Sequence, residues 1–269
     1  MAYQHGLFAW ADISTPDPAA TSAFYTALFG WDAEEQHDPD GNHVYTMFKL
    51  DGKVVAGLGP QPDGGEQEMP AVWNAYITVD DINTAVDGWA LARGKVVMPP
   101  MDVFDSGRMA VVADPEGAIV ALWQAREYAG AEVFNSAGAM TWNELNTRDA
   151  AAACEFYGKT LGWEFELFPM EGAGDYWVIK IPDKSLEAPL SGDAYNGGIL
   201  TMSDDFPSEV PAYWSVYFTS ADVDADAAKI TELGGSVMTG PMDTPSGRIA
   251  VVADPAGAIF NLIKPPSAQ

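Results

Sequence analysis

The sequence predicts an α+β protein built as two tandem domains, and three observations carry that prediction. The chain nearly repeats itself. Residues 10–31, WADISTPDPAATSAFYTALFGW, return as residues 142–163, WNELNTRDAAAACEFYGKTLGW, with Trp10 to Trp142 and Trp31 to Trp163 both 132 apart. A second segment, residues 101–122, returns as residues 242–262 with one residue missing before the second Ser-Gly-Arg, so the offset falls from 141 to 140. Self-similarity at one long period marks a duplicated folding unit. Each half then reads as strand, helix and several strands, twice over. Helices gathered on one face of a sheet leave its other face free to line a cavity. Finally, 48% of the 269 residues are hydrophobic, enough to bury a core in each half.

The elements follow in order. Residues 7–13 alternate and predict a strand. Thr15-Pro16-Asp17 opens a helix over 18–29, with Phe24, Tyr25 and Leu28 on one side and Gly30 as its C-terminal cap. Strands are expected near 31–35, 43–50 and 53–58, separated by Asp40-Gly41 and Asp51-Gly52 turns. A Pro/Gly-rich connector spans 60–70. After it come a strand over 72–79, a helix over 82–93 closed by Gly94, strands over 95–98 and 108–113, the turn Asp114-Pro115-Glu116-Gly117 and a strand over 118–123. The second half places helices near 149–161 and 222–233. The domains are therefore expected at 1–125 and 140–269, joined by a linker over 126–139.

Charge and composition exclude several functions. With 39 acidic and 13 basic side chains the net charge is −26, which argues against nucleic acid and anionic membranes, since both need Lys and Arg clusters. Cys154 is the single cysteine, so no internal disulfide forms, and its helical setting reads as a small core residue. The N-terminal stretch has no cationic segment followed by an apolar run, and no window of about 18 apolar residues occurs, so a cytoplasmic location is expected.

Three matched pairs of segments carry a resemblance. They are FYTALFGW and FYGKTLGW, WNAYITVDDI and WSVYFTSADV, and VVADPEGAIVAL and VVADPAGAIFNL. Together they resemble the vicinal-oxygen-chelate superfamily of glyoxalases, bleomycin-resistance proteins and extradiol dioxygenases, in a tandem form similar to actinobacterial proteins labelled hydroxylases or glyoxalase-like antigens. The resemblance implies two βαβββ motifs per domain, forming a curled mixed sheet, or cup, with helices on its outer face. It also implies a site inside each cup.

The family's metal-ligand positions, carried over one at a time, fall on Asp12, Asn74 and Ala121 in the first cup. In the second they fall on Glu144, Ser215 and Asn261. Each set has one carboxylate and no histidine, whereas a divalent transition metal wants several imidazole, carboxylate or thiolate donors. No cofactor is therefore expected, with a divalent metal as the alternative. The three histidines, His5, His37 and His43, all precede residue 44 and read as surface or strand-end residues.

Alternation along each strand sets what accompanies these positions. With Asp12 facing the cup, so do Phe8, Trp10 and Ser14; Met140, Trp142 and Asn146 accompany Glu144. Tyr76 and Thr78 follow Asn74, and Tyr217 and Thr219 follow Ser215. Ile119 and Trp123 flank Ala121, and Ile259 and Ile263 flank Asn261. Ala75, Ile77, Val79, Val216 and Phe218 then pack under the helices. Apolar walls with a few orienting polar groups are the makeup of a small-molecule site. Packing alone accounts equally for Trp10, Trp142, Tyr76 and Tyr217. Arg108 and Arg248 recur after Ser-Gly and need partners; Asp102, Asp243, Asp12 and Glu144 are the candidates, with a ligand anion as the alternative.

Three functions follow. The first is a binder of a small aromatic or hydrophobic molecule without a complete metal site. The second is a lyase, hydroxylase or dioxygenase-type enzyme using Asp12 or Glu144 as general base or metal ligand. The third is an interaction protein that has lost its site. A monomer with internal pseudo-dimer symmetry is expected.

Overall fold

A computed structural model describes residues 3–61, 70–170, 174–182, 195–203 and 206–266. It contains two eight-stranded mixed sheets with four helices, the α+β architecture the sequence predicts. In the first repeat the elements are β1 (Phe8–Thr15), α1 (Pro18–Phe29), β2 (Asp32–His37), β3 (His43–Leu50), β4 (Lys53–Pro60), β5 (Val72–Thr78), α2 (Ile82–Leu91), β6 (Lys95–Val103), β7 (Gly107–Ala113) and β8 (Ile119–Ala125). In the second they are β9 (Met140–Thr147), α3 (Ala150–Leu161), β10 (Glu164–Met170), β11 (Gly174–Lys180), β12 (Tyr195–Thr201), β13 (Tyr213–Thr219), α4 (Val223–Glu232), β14 (Ser236–Thr244), β15 (Gly247–Ala253) and β16 (Ile259–Lys264). The strand orders are β2-β3-β4-β1-β5-β8-β7-β6 and β10-β11-β12-β9-β13-β16-β15-β14. The same topology twice is the structural form of the duplicated sequence.

All four helices start the same way. Asp17, Asp81, Asp149 and Asp222 are the N-caps, each side chain accepting a backbone N–H from three residues on. Gly30 and Gly162 end α1 and α3 with φ of 71° and 68°, a left-handed turn that glycine makes without a Cβ clash. The end of α2 departs from expectation. The left-handed residue there is Arg93, φ 74°, and Gly94 is required for a different reason: a Cβ on it would overlap the Trp89 indole and crowd Phe156. The strand expected over 95–98 also extends to Val103, because it pairs with β7 through two register shifts instead of ending at Pro99. The connector expected over 60–70 lies mostly outside the described residues.

The chain packs as two compact units, and neither coincides with one repeat. The first comprises Met1–Trp10, Ala75–Gly130 and Trp142–Ser215; the second comprises Ala11–Asn74, Ala131–Thr141 and Val216–Gln269. Each thus combines parts of both repeats, and each is organised around a buried Trp–Tyr–Asp relay. In the second unit, Trp73 Nε1 donates to the Tyr25 hydroxyl at 2.8 Å, and Tyr25 donates to Asp254 Oδ2 at 3.1 Å. In the first unit, Trp214 Nε1 donates to Tyr157 at 2.9 Å, and Tyr157 donates to Asp114 Oδ2 at 3.1 Å. The other oxygen of each aspartate accepts two backbone N–H groups of its own turn, Glu116 and Ala118 or Ala256 and Ala258.

The Asp-Pro-x-Gly turns are therefore more than turn chemistry. They anchor the tyrosine of the Phe-Tyr motif contributed by the other repeat. Both tyrosines are fully buried, and burial, then the neighbouring aspartate's charge, pushes their hydroxyls well above the ordinary range. Burial also raises Asp114 and Asp254, with the N–H and hydroxyl donors pulling the other way. Trp31 stacks on Tyr25 and Trp163 on Tyr157, completing matched aromatic cores.

Candidate functional site

The helix-packed face of each sheet is occupied by these cores, so chemistry falls to the opposite face. Along β9, Leu145 is fully buried on one side while Glu144 and Asn146 point to the other. The parallel partner of Glu144 on β12 is Gly198. That glycine makes the site, since a Cβ on it would overlap the hydroxyl of Tyr176 from β11. With no Cβ there, the Tyr176 phenol lies over Gly198 and hydrogen-bonds Glu144. Trp142 Nε1 donates to the same hydroxyl at 2.8 Å. Asn146 Nδ2 stands 3.5 Å from Glu144 Oε1, at the outer limit of a hydrogen bond. Glu144 is 8% exposed and Ser215 6%. Burial, then the charge of Glu144, raises the hydroxyls of Tyr176 and Tyr213, so both stay protonated at physiological pH. All of these residues belong to the first compact unit.

The equivalent group of the first repeat lies in the second unit. Asp12 is paired with Gly57 of β4. The Tyr45 hydroxyl donates to Asp12 Oδ2 at 2.9 Å, with its ring lying along Gly59. Asn74 Nδ2 donates to Asp12 Oδ1 at 3.0 Å and to Ser14 Oγ at 2.9 Å. Asp12 is thus fixed through both oxygens by neutral donors. The first unit holds the aromatic residues of the same repeat. Trp10 meets Tyr128 edge-on at 5.4 Å, Trp123 Nε1 donates to the Tyr128 carbonyl, and Tyr76 meets Trp123 edge-on at 6.5 Å.

The sequence-derived residues therefore fall into separate groups. Asp12 and Asn74 come together, Trp142 and Glu144 meet through the Tyr176 hydroxyl, Ser215 is buried on the adjacent strand β13, and Trp10, Tyr76 and Trp123 share one aromatic cluster. Tyr217 and Asn261 are register partners on β13 and β16, both buried. Phe8 packs at 5.0 Å and 5.8 Å from Trp214 and Trp163, the core aromatics, instead of accompanying Asp12. Ile119 and Ile259, at the strand starts, are 54% and 44% exposed.

Arg108 pairs with Asp102, as does Arg126; Arg248 pairs with Asp224 and Asp243. Burial pushes the Cys154 thiol up to about 12, which leaves it without thiolate character near neutrality. His43 Nε2 lies 2.7 Å from Thr46 Oγ1, and its pKa is lowered by burial.

Sequence reasoning missed Tyr45 and Tyr176, the hydroxyls that orient the two carboxylates. Their signal was present. The two are 131 apart, as are Lys49 and Lys180 four residues on, so the strand recurs at an offset one short of 132.

Among the described residues, no three His, Cys, Asp or Glu side chains stand together in a way that could hold a metal ion. Two copies of one mixed-sheet topology, each with a carboxylate on the face opposite its helices, define a glyoxalase-type tandem protein. A family profile agrees: the Glyoxalase/Bleomycin resistance protein/Dioxygenase superfamily matches residues 7–122 and again 139–262, and the chain belongs to that superfamily.

Over nearly its full length the chain is similar to "Putative glyoxylase CFP32" of Mycobacterium tuberculosis, 41% identical over 268 residues that cover 99% of this chain and 98% of the relative. It is also 39% identical to "Anthracycline biosynthesis protein DnrV" of Streptomyces peucetius, covering 96% and 93%. Its fold matches the Mn(II)-bound glyoxalase of Novosphingobium aromaticivorans with a TM-score of 0.63 at 14% identity, covering 97% of this chain and 82% of that one. It likewise matches 2,2',3-trihydroxybiphenyl 1,2-dioxygenase of Sphingomonas wittichii strain RW1, with a TM-score of 0.60 at 13% identity over 97% and 91% of the two chains.

Proposed function

We propose that the chain binds a small, planar aromatic or hydrophobic molecule on the sheet face that carries Glu144, with the carboxylate orienting the ligand and no divalent metal taking part. The observation that carries this reading is the Trp142–Tyr176–Glu144 relay. It sets one buried carboxylate against the Tyr176 phenol, which the Trp142 indole N–H holds in place. Apolar walls with few polar groups suit a flat ligand. The family's metal chemistry does not fit the donors at the carried-over positions, which are Asp12, Asn74 and Ala121, and Glu144, Ser215 and Asn261. A relative named for anthracycline biosynthesis supports a polycyclic aromatic ligand. Trp10, Tyr76 and Trp123 serve as an aromatic wall of their own, Tyr217 and Asn261 as a separate contact, and Asp12 as the equivalent orienting group of the first repeat. Arg108 and Arg248, with carboxylate partners of their own, lie outside this reading. The protein acts as a cytoplasmic monomer, which light scattering at the 28.8 kDa chain mass checks. Titrating the protein with planar polycyclic compounds quenches its Trp emission saturably; a broad panel that leaves the emission unchanged rejects the binding reading.

A second reading rests on the same relay. A buried carboxylate backed by a phenol is built like a general base. In that case Glu144→Gln abolishes turnover of a bound substrate while the fold is kept, and Asp12→Asn leaves turnover intact.

A further inference from the structure

We propose that Leu200 is a positioning residue that fixes the specificity of the Glu144 site. Its side chain bars the Tyr176 ring from the place that Gly59 leaves open to Tyr45 in the first repeat. The ring is thereby kept over Gly198, beside Glu144, and gives the site an aromatic floor that selects flat ring systems over puckered ones. The inference rests on the reading that this face binds a small aromatic molecule, and it names the residue behind the preference.

The two repeats build this face with a difference in bulk. In the first, Asp12 and Ser14 pair in register with Gly57 and Gly59 of β4. In the second, Glu144 and Asn146 pair with Gly198 and Leu200 of β12. Leu200 therefore stands where Gly59 stands. Tyr45 lies along Gly59, with two ring atoms 3.5 Å from where a Cβ would be. That is ordinary contact, so a Cβ fits beside the ring, but the branched carbons of a leucine would take the ring's own place. Tyr176 is the register partner of Leu200, and the hydroxyl end of its ring lies two residues away, against Gly198.

Reach fixes how that ring lies. Tyr176 starts on β11, crosses β12 over Gly198 and hydrogen-bonds Glu144 on β9. Two strand spacings of about 4.8 Å separate β11 from β9, so a phenol that bridges them lies across the sheet instead of rising from it. Trp142 Nε1 donates to the hydroxyl and holds that pose. Trp142, Tyr176 and Leu200 are half-buried, while Glu144 and Asn146 are 8% and 3% exposed. The surface left open beside the carboxylate thus includes ring and leucine. A flat ligand stacks on such a floor; a saturated ring system of the same skeleton meets it with axial hydrogens and forgoes the offset-stacked contact.

The test uses two neutral probes with one skeleton and one hydroxyl: planar 2-naphthol and puckered decahydro-2-naphthol, titrated calorimetrically into the full chain at neutral pH. The planar probe binds about fivefold tighter. Leu200→Ala lets the Tyr176 ring slide over residue 200, as Tyr45 lies along Gly59, and brings the two affinities to within about twofold. The indole N–H resonance of Trp142, assigned by its loss in Trp142→Phe, shifts in the same variant because its acceptor has moved. Leu200→Met restores the bulk, the resonance and the preference. Leu91→Ala, at an exposed helix position, leaves both as in the parent.

Leu200→Val, which keeps strand propensity, stands in where Leu200→Ala does not fold and gives an intermediate preference. Equal affinity of the two probes for the parent chain overturns the inference while leaving the binding reading intact, and that arm needs no variant. A preference that survives in folded Leu200→Ala, or a Trp142 resonance that stays in place there, shows that the ring does not depend on Leu200 and also overturns it. A preference lost in Leu200→Ala and not recovered in Leu200→Met assigns the loss to a disturbed β12 and counts against it as well. Failure of both probes to bind the parent counts against the aromatic-binding reading itself.

Discussion

The two faces of the sheets have diverged to different extents since the repeat arose. On the helix side the relay residues are the same in both copies: Trp73 and Trp214, Tyr25 and Tyr157, Asp254 and Asp114. On the opposite face the carried-over positions all differ: Asp12 against Glu144, Asn74 against Ser215, Ala121 against Asn261. What is held in common there includes an aromatic frame, Trp10 and Trp142, Tyr45 and Tyr176, Tyr76 and Tyr217, with Thr78 and Thr219 beside it. The relays are fully buried hydrogen-bonded triplets in which each atom's partner is another protein atom, so a change in one member strands the others. Among the described residues the open face carries no such closed triplet, so two copies of it are free to take different chemistry. The contrast separates what holds the chain together from what gives it specificity, and it suggests that the two carboxylate sites are not equivalent in function.

Removing a relay hydroxyl makes the largest difference. Tyr25→Phe and Tyr157→Phe each leave an indole N–H and a buried carboxylate oxygen without their partner, at a cost of about 1–3 kcal/mol. In a chain of this size each kcal/mol lowers the melting temperature by about 2–4 °C. Calorimetry should find the two losses matched. Unequal losses would break the equivalence of the relays.

The next effect is on pH. Burial is the main cause that raises Asp114 and Asp254 above their ordinary values. The folded state therefore holds these protons more tightly than the unfolded chain, where an aspartate titrates near about 3.9. The stabilisation from proton binding is complete below that value and is lost as pH rises through the raised folded value. Asp114→Asn and Asp254→Asn remove this loss. Their urea midpoints should fall less than those of the parent over that window. Parallel curves would show that the slope comes from the rest of the acidic surface.

The smallest effect is expected at Arg108 and Arg248. Their aspartate partners are exposed, and solvent-screened pairs contribute about 0–1 kcal/mol. Arg108→Ala and Arg248→Ala should leave stability nearly unchanged and the Trp quenching by planar polycyclic compounds unaltered. A loss of quenching in either would return that arginine to the binding site.

Much of this was legible in the sequence because its signals are local or periodic. The 132-residue offset exposed the duplication. Alternation put Asp12 and Glu144 on the face opposite Ile13 and Leu145. Asp and Gly marked the ends of α1 and α3, where an N-cap oxygen and a left-handed φ are needed whatever the rest of the chain does. The α2 end escaped the same rule. Gly94 answers to the bulk of Trp89, a constraint that no local pattern expresses.

The same limit explains the site. Nothing near Glu144 in the sequence announces Tyr176, which lies 32 residues away and reaches the carboxylate only because Gly198, on the strand between them, lacks a Cβ. The Phe-Tyr motif was visible as a repeat, but its aspartate partner lies in the other repeat, 229 residues away for Tyr25 and 43 for Tyr157. Composition, periodicity and repetition thus determined the elements, their order and the face on which each carboxylate stands, since these depend on neighbours along the chain. Which hydroxyl orients which carboxylate, and which repeat completes which core, was decided by the tertiary structure, because hydrogen bonds and close packing act between atoms near in space however far apart they lie along the chain.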